Sequence, residues 1–415
     1  MGSSLLHKST LGTFIDVIHG YAFKGEFFTE EKTSNILLTP GNFSIGGGFK
    51  DDKIKYYNGP IYEKYVLNVK DLIVTMTDLS KMGDTLGYPL FVPSLPHCIF
   101  LHNQRLGKII IKDTKKIDKE FLYYFLCTHE YRNSILGSAT GSTVKHTAPE
   151  RILSIPFYPP PIEIQKKIAH YLYSIDLEIS TLKYQNIYLE KIIQSIFKSW
   201  FIDFEGQTEF VDSELGQIPK GWMCGKLENI CNIFSGGTPS TIKEEYWDGN
   251  LLWLSSGETR NRFIIDTERK ITQLGVDNSS TRLAKKLDVV IASAGQGNTR
   301  GQVSLCLIDT YINQSVIALR SKDDYLYSFF LFCNLKSRYD ELRNISDSHS
   351  SRGSLPKNVL VTLELIIPNK EILKKFNEIV MPMFLNIEKN IKDILILSNI
   401  RDSLLPKLMS GEIQV

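Results

Sequence analysis

Residues that open and close the first half of this chain recur in the same order about 210 positions later. Leu11-Gly12-Thr13-Phe14-Ile15-Asp16-Val17-Ile18-His19-Gly20-Tyr21 is echoed by Leu227-Glu228-Asn229-Ile230-Cys231-Asn232-Ile233-Phe234-Ser235-Gly236-Gly237. Asp71-Leu72-Ile73-Val74 is echoed by Asp288-Val289-Val290-Ile291, and Asn103-Gln104 by Asn313-Gln314. Cys127 pairs with Cys333, and Ser195 with Ser403. Each match alone is short, but their shared order indicates a tandem duplication of half the chain. Any fold must therefore be built twice, which 415 residues permit as two middling domains.

Within each half the order of elements is the same. An amphipathic start leads to a glycine turn and then to apolar β-type runs, Leu72-Ile73-Val74 and Val289-Val290-Ile291. Helical stretches follow, Phe121 to Leu126 and Tyr327 to Cys333, and then polar loops of small residues over 137–146 and 346–353. Leu153, Ile155 and Phe157, and likewise Val359, Val361, Leu363, Leu365 and Ile367, alternate as a closing strand would. Pro159-Pro160-Pro161 and Pro368 then stop the sheet and admit a helix.

That helix is long in both copies. Between Ile162 and Trp200 there is no Gly or Pro. Ile168, Leu172, Ile175, Ile179, Leu182, Asn186, Leu189, Ile193 and Ile196 recur in alternating steps of four and three, the a/d pattern of a coiled coil. The second series is Phe376, Val380, Met383, Ile387, Asn390, Ile394, Leu397, Arg401 and Leu404. Each carries one Asn, expected at different heights. A helix of this length is about 60 Å long, suited to a spacer. The simplest arrangement is an intramolecular antiparallel pair with the two domains at its ends about a pseudo-two-fold, able to engage two half-sites on a duplex. The alternative is that each helix packs only on its own domain. The expected architecture is α+β: mixed α/β domains over 1–160 and 206–367, with helices over 161–205 and 368–415.

Composition narrows the class. With 42% hydrophobic and 11% aromatic residues the chain is globular rather than disordered. A net charge of +2 leaves any phosphate-binding surface to local clustering of Lys and Arg. The six cysteines form no C-x-x-C pair, so neither a zinc site nor a redox motif is indicated, and they are expected as small core residues. With no signal-peptide pattern and no apolar run of spanning length, a reduced, cytoplasmic protein is expected.

Three blocks carry a family resemblance. Ile218-Pro219-Lys220-Gly221-Trp222, Ser235-Gly236-Gly237-Thr238-Pro239-Ser240 and Tyr246-Trp247-Asp248-Gly249 resemble the start of a target recognition domain in the specificity subunit of type I restriction-modification enzymes. Pro159 to Ile168 with Ser195 to Phe204 resembles that family's central region, and Arg401 to Ile413 its C-terminal region. The resemblance covers essentially the whole chain. The first copy departs from it at Gly20-Tyr21-Ala22-Phe23-Lys24, which implies that the two domains read different sequences. It further implies a subunit without catalysis. Double-stranded DNA would be bound as a split, asymmetric target, and the helices would dock two methyltransferase subunits, joined by two motor-nuclease subunits in the restriction complex.

The residues agree with the absence of catalysis. Pro159-Pro160 follows Tyr158, not an amino-methyltransferase loop of Asn/Asp/Ser-Pro-Pro-aromatic type. Gly107-Lys108 and Gly225-Lys226 are followed by Ile109 and Leu227, so no Walker A loop exists. No Pro-Asp nuclease dipeptide and no H-E-x-x-H occurs. S-adenosylmethionine and ATP are therefore expected only in partner subunits, and no metal in this chain. A protein-interaction scaffold, and a subunit of a related methyltransferase-only system, stay open as alternatives.

Three loop sets in each half suit DNA. The first is Gly20, Tyr21, Phe23 and Lys24 against Gly236, Gly237, Thr238 and Ser240, which could equally be structural turns. The second is Thr77, Asp78, Ser80 and Lys81 against Gln296, Asn298, Thr299, Arg300 and Gln302, the latter rich in groups matching adenine and guanine edges. The third is Ser142, Thr143, Lys145 and His146 against Ser350, Ser351, Arg352 and Lys357, closer to a phosphate clamp. Trp222, Trp247 and Trp253 are expected in the core, with Trp200 and Phe201 where helix meets domain.

Overall fold

The computed structural model describes residues 9–348 and 353–415. The chain divides into two compact units, Met1–Ile179 with Ile396–Val415, and Ser180–Leu395.

In the first unit the strands Ile15–His19, Leu106–Ile111, Leu72–Thr75 and Pro89–Phe91 form one antiparallel sheet in that order. A second sheet runs Phe28–Thr29, Lys55–Tyr57, Asn35–Leu38, Ile99–His102, Val66–Leu67, with Asn35–Leu38 parallel to Ile99–His102. Leu72–Thr75 is buried along its whole length. Successive side chains of a strand point to opposite faces. Leu72 and Val74 accordingly join Phe121, Leu122 and Tyr131 of the helices, while Ile73 joins Ile36, Leu38 and Phe100 of the other sheet. Burial on both faces is why this segment reads as an unbroken apolar run.

The second unit repeats the plan. Cys231–Ser235, Val316–Ser321, Val289–Ala292 and Val303–Cys306 form the corresponding sheet, extended by Phe263–Ile264. Arg269–Ile271, Trp247–Leu254, Thr310–Ile312 and Arg282–Ala284 form the other, again with one parallel pair at its centre. Val289 and Ile291 face Phe330 and Leu331 of a helix, and Val290 faces Leu254 and Ile312. The helices correspond too: Lys119–Leu126, His129–Ser138 and Pro149–Leu153 in the first unit, Ser328–Ser337, Tyr339–Ser348 and Lys357–Val361 in the second. The Asp118 and Thr128 side chains cap the first two by accepting the N–H of Phe121 and Tyr131.

Two expectations from the sequence about the domains need correction here. The closing alternation is not one strand: Pro149–Leu153 and Lys357–Val361 are short helices, and only Glu364–Ile367 is a named strand. Pro149 stands at a first helical position and Pro356 just before the other helix, where proline pre-sets the backbone. Helical geometry buries Leu360 and leaves Val359 and Val361 half-buried. The Cys127–Cys333 match is also out of register. Cys127 ends its helix as the C-cap, whereas Cys333 lies inside Ser328–Ser337.

The long helices are Ile162–Phe201 and Lys370–Met409. Their seam residues are all buried or half-buried, while Tyr171, Tyr184 and Tyr188 on other faces are exposed. Within the second unit Asn390 Nδ2 donates to Asn186 Oδ1 at 2.9 Å, both side chains buried. Within the first, Arg401 pairs with Asp176 at 2.8 Å. Going from the first pair to the second, the position moves back from Asn186 to Asp176 on one helix and forward from Asn390 to Arg401 on the other, so the helices run antiparallel. The two Asn therefore stand level rather than at different heights, because antiparallel pairing reverses the count along one partner. The helices also serve their own units. Phe384 stacks on Phe329 with ring centroids 4.5 Å apart, and Ile168, Ala169 and Leu172 enter the first unit's core. A second apolar stripe thus accompanies the seam, so each helix both pairs with the other and packs on the core of a unit.

Candidate nucleic-acid interface

In both units the glycine turn and the base of the second loop set bond to one tight turn between the two sheets. In the first unit this turn follows Ile99–His102 and precedes Leu106–Ile111. Asn103 Oδ1 accepts the Arg105 N–H at 2.9 Å, and Asn103 C=O accepts that of Leu106 at 3.0 Å. In the second unit Asn313 does the same for Ser315 and Val316, at 3.0 and 3.2 Å. An Asn side chain that mimics the backbone is a self-contained way to fix a turn.

The glycine turn is anchored to it. Tyr21 N–H donates to His102 C=O at 2.8 Å, and Gly237 N–H to Ile312 C=O at 3.0 Å. A Cβ on Gly20 would lie 2.3 Å from the carbonyl oxygens of His102 and Asn103, and one on Gly236 would lie 1.8 Å from that of Ile312. These glycines are required by close backbone approach. Tyr21 then spreads into an aromatic group, its ring 5.0 Å from those of Tyr62 and Tyr65 and 5.2 Å from Phe23. Lys24 is exposed beside Glu26 at 3.5 Å. Thr238 hydrogen-bonds Gln314, the second residue of the turn. Ser240 is exposed, and its carbonyl accepts the Trp247 indole N–H at 3.0 Å.

The second and third sets of the first unit meet each other. In the first unit Thr77–Asp78 pairs with Lys145–His146 as a short ladder, with Thr77 Oγ1 3.1 Å from His146 Nδ1. Thr77 and Asp78 are buried. Burial alone would raise the Asp78 carboxyl, but Thr85 and Ser80 donate three hydrogen bonds to it and hold it below the usual range. Ser80 is half-buried, leaving Lys81, Ser142 and Thr143 exposed, with Lys145 half-buried. In the second unit Gln296 and Asn298 are exposed, Gln302 is half-buried and Thr299 is buried. Arg300 pairs with Asp347 at 2.6 Å, Arg343 Nη1 donates to Gly297 C=O, and Tyr339 Oη donates to Asn298 C=O. The helix Tyr339–Ser348 therefore props the loop from behind, and Arg300 belongs to that support. Ser350, Ser351 and Arg352 lie outside the described residues. Lys357 is exposed at the start of its short helix.

In the sequence Asn103-Gln104 and Asn313-Gln314 mark the repeat; in the fold each pair forms the tight turn. Their recurrence was the signal that a turn had been kept at the centre of both sites. Gln104, Arg105 and Gln314 are exposed there. The remaining expectations on packing hold: Trp222, Trp247 and Trp253 are buried, and the Phe201 ring is 5.9 Å from that of Trp222. Of the six cysteines expected in the core, Cys231, Cys306 and Cys333 are buried and Cys98, Cys127 and Cys224 are only half-buried; burial pushes the Cys231 and Cys333 thiols up to about 12, far from nucleophilic range. No helix among the described residues is long and apolar enough to cross a membrane.

Two heads of one topology, each followed by a long helix, and clustered loops that differ between the heads define a duplicated recognition module. The family model for the type I restriction modification DNA specificity domain matches the chain twice, over residues 8–191 and 219–395. The type I restriction enzyme MjaIX specificity subunit of Methanocaldococcus jannaschii is 32% identical over 330 residues, spanning 75% of this chain and 73% of that one. The HindI specificity subunit of Haemophilus influenzae is 24% identical over 420 residues, 84% of this chain and 90% of that one. The crystal structure of a type I restriction-modification S subunit from M. genitalium shares the fold, with a TM-score of 0.60 at 18% identity over 98% of both chains. The chain belongs to the family of type I restriction-modification DNA specificity subunits, a DNA-recognition component and not a catalytic one.

Proposed function

We propose that this chain selects the DNA target of a type I restriction-modification enzyme by reading a split, asymmetric sequence, one half with each unit. The observation that carries the reading is the same loop cluster built twice with different side chains: Tyr21, Lys81 and Lys145 in one copy, Thr238, Gln296 and Asn298 in the other. Identical scaffolds fix where contacts are made, and differing side chains change which base edges they suit. The recognition domains correspond to residues 1–160 and 206–367.

The partners follow from the same reading. Two methyltransferase subunits dock against the long helices, which carry exposed Tyr171, Tyr184 and Tyr188 on one and Leu385, Leu395 and Ile396 on the other. Two motor-nuclease subunits join them for restriction. S-adenosylmethionine and ATP are bound by those partners, and the assembly works in the cytoplasm on double-stranded DNA.

Methylome sequencing of a host with and without the chain, in the presence of its methyltransferase partner, tests this. Loss of one split, non-palindromic motif is expected on deletion. Duplex binding by the complex should weaken steeply with added salt, since phosphate contacts release counterions. Salt-independent binding with an unchanged methylome would instead favour a protein-interaction scaffold.

A further inference from the structure

We propose that the turn Asn103-Gln104-Arg105 is itself a sequence reader, with Arg105 contacting a guanine in the half of the target bound by the first unit. This rests on the DNA-reading function above and assigns a specificity residue that lies outside the three loop sets.

The backbone of the turn is pinned by several hydrogen bonds. Gln104 N–H donates to Tyr21 C=O at 2.9 Å, Arg105 N–H to Asn103 Oδ1 at 2.9 Å, and Arg105 C=O accepts the Met76 N–H at 2.9 Å. The turn thus bonds directly to the first loop set through Tyr21 and to the second through Met76, next to Thr77. The turn is therefore held in a fixed place beside both sets. What the turn offers is two side chains, Gln104 and Arg105, both exposed.

Arg105 differs from the other arginines of its unit. Arg132 donates to Gly83 C=O at 2.8 Å and lies 4.2 Å over the Tyr88 ring. Arg151 donates to Ser138 C=O at 2.8 Å, and Arg401 is held by Asp176 and Asp402. Among the described residues of the first unit, Arg105 is the guanidinium that no hydrogen bond, ion pair or ring engages. Its five donors in a rigid fork match the O6 and N7 of guanine, and an exposed fork on a backbone-pinned turn loses little freedom on binding. Gln104 beside it suits the N6 and N7 of adenine.

The second unit is the internal control. Its turn keeps Asn313 and Gln314 but has Ser315 where the first has Arg105. The guanine contact is therefore confined to one half of the target.

The test is the methylated motif written by the chain with its methyltransferase partner, compared for wild type, Arg105→Ala and Arg105→Lys. The expected result is that both variants lose discrimination by about 10- to 100-fold at one G·C pair in one half, with the other half unchanged. Lysine keeps the charge but not the fork, so it should not restore the base preference. An unchanged motif in Arg105→Ala overturns the proposal. So does a uniform weakening at every sequence that Arg105→Lys repairs, which would make Arg105 a phosphate contact. A wild-type chain that directs no split motif overturns the functional reading itself.

Discussion

The two units share a backbone plan and differ in what they place on it. At the tip of the second loop set the first unit exposes Leu79, Lys81 and Met82, while the second exposes Gln296 and Asn298. The first is supported internally, by the buried Asp78 carboxylate gathering Ser80 and Thr85; the second is supported from outside, by Tyr339 and Arg343 of a helix. Beneath the central turn lies His102 in one copy and Ile312 in the other, both buried. Where the helices pair, the first unit uses Asp176 with Arg401 and the second Asn186 with Asn390. Duplication preserved the parts that set geometry, namely the close-approach glycines and the Asn turns. It released the parts that set chemistry.

The largest expected effect tests whether those chemistries act separately. Exchanging residues 296–302 for the loop of another family member should rewrite one half of the methylated motif and leave the other intact, as methylome sequencing will read. If both halves change, the loop does not belong to a single half-site reader.

The second test uses the His102–Ile312 difference. Burial lowers the His102 pKa to about 4, partly countered by its Nε2 bond to Leu106 C=O, with Lys108, Asp71 and His19 as charged neighbours. The unfolded chain takes up this proton below about 6.5 and the folded chain only near 4. Stability is therefore complete above 6.5 and falls between 6.5 and 4, by about 3 kcal/mol. Hydrogen exchange, corrected for intrinsic pH dependence, should show this His-linked loss in the first unit. His102→Ile, which copies the second unit, should abolish it. The four tryptophans, Trp200, Trp222, Trp247 and Trp253, all lie in the second unit, so their fluorescence should not follow this step.

The smallest effects concern the helix pair. Asn390→Leu leaves Asn186 buried without its amide partner and should cost about 1–3 kcal/mol in denaturant unfolding. The double change with Asn186→Leu should recover most of this while weakening the register. Arg401→Leu in the first unit should cost only about 1 kcal/mol, because Asp176 is partly exposed and keeps the Tyr124 hydroxyl at 2.8 Å. A larger loss from Arg401→Leu than from Asn390→Leu would show that the charged pair, not the amide pair, fixes the helices.

Much of this was legible in advance. The apolar runs at Leu72 and Val289, the helices and their seam, and the duplicated order all follow from periodicity, which local chemistry writes directly into sequence. The alternation over 359–367 misled because a short helix and a short strand in succession mimic one strand when each buries every second or third residue. Among the candidate site residues, Thr77, Thr299 and Arg300 had the right chemistry for DNA but are taken up by His146, by burial and by Asp347. Nothing in the neighbours of Arg105 along the chain marks it as an arginine left unengaged by the fold.

What the sequence determined by itself is the periodic and the repeated: two copies, their element order, and the glycines and asparagines that only certain backbone paths accept. What tertiary structure alone decided is which polar side chains are spent inside the protein and which remain available. That depends on contacts between residues tens to hundreds of positions apart, such as Arg300 with Asp347 or Asn186 with Asn390, and no local pattern encodes them.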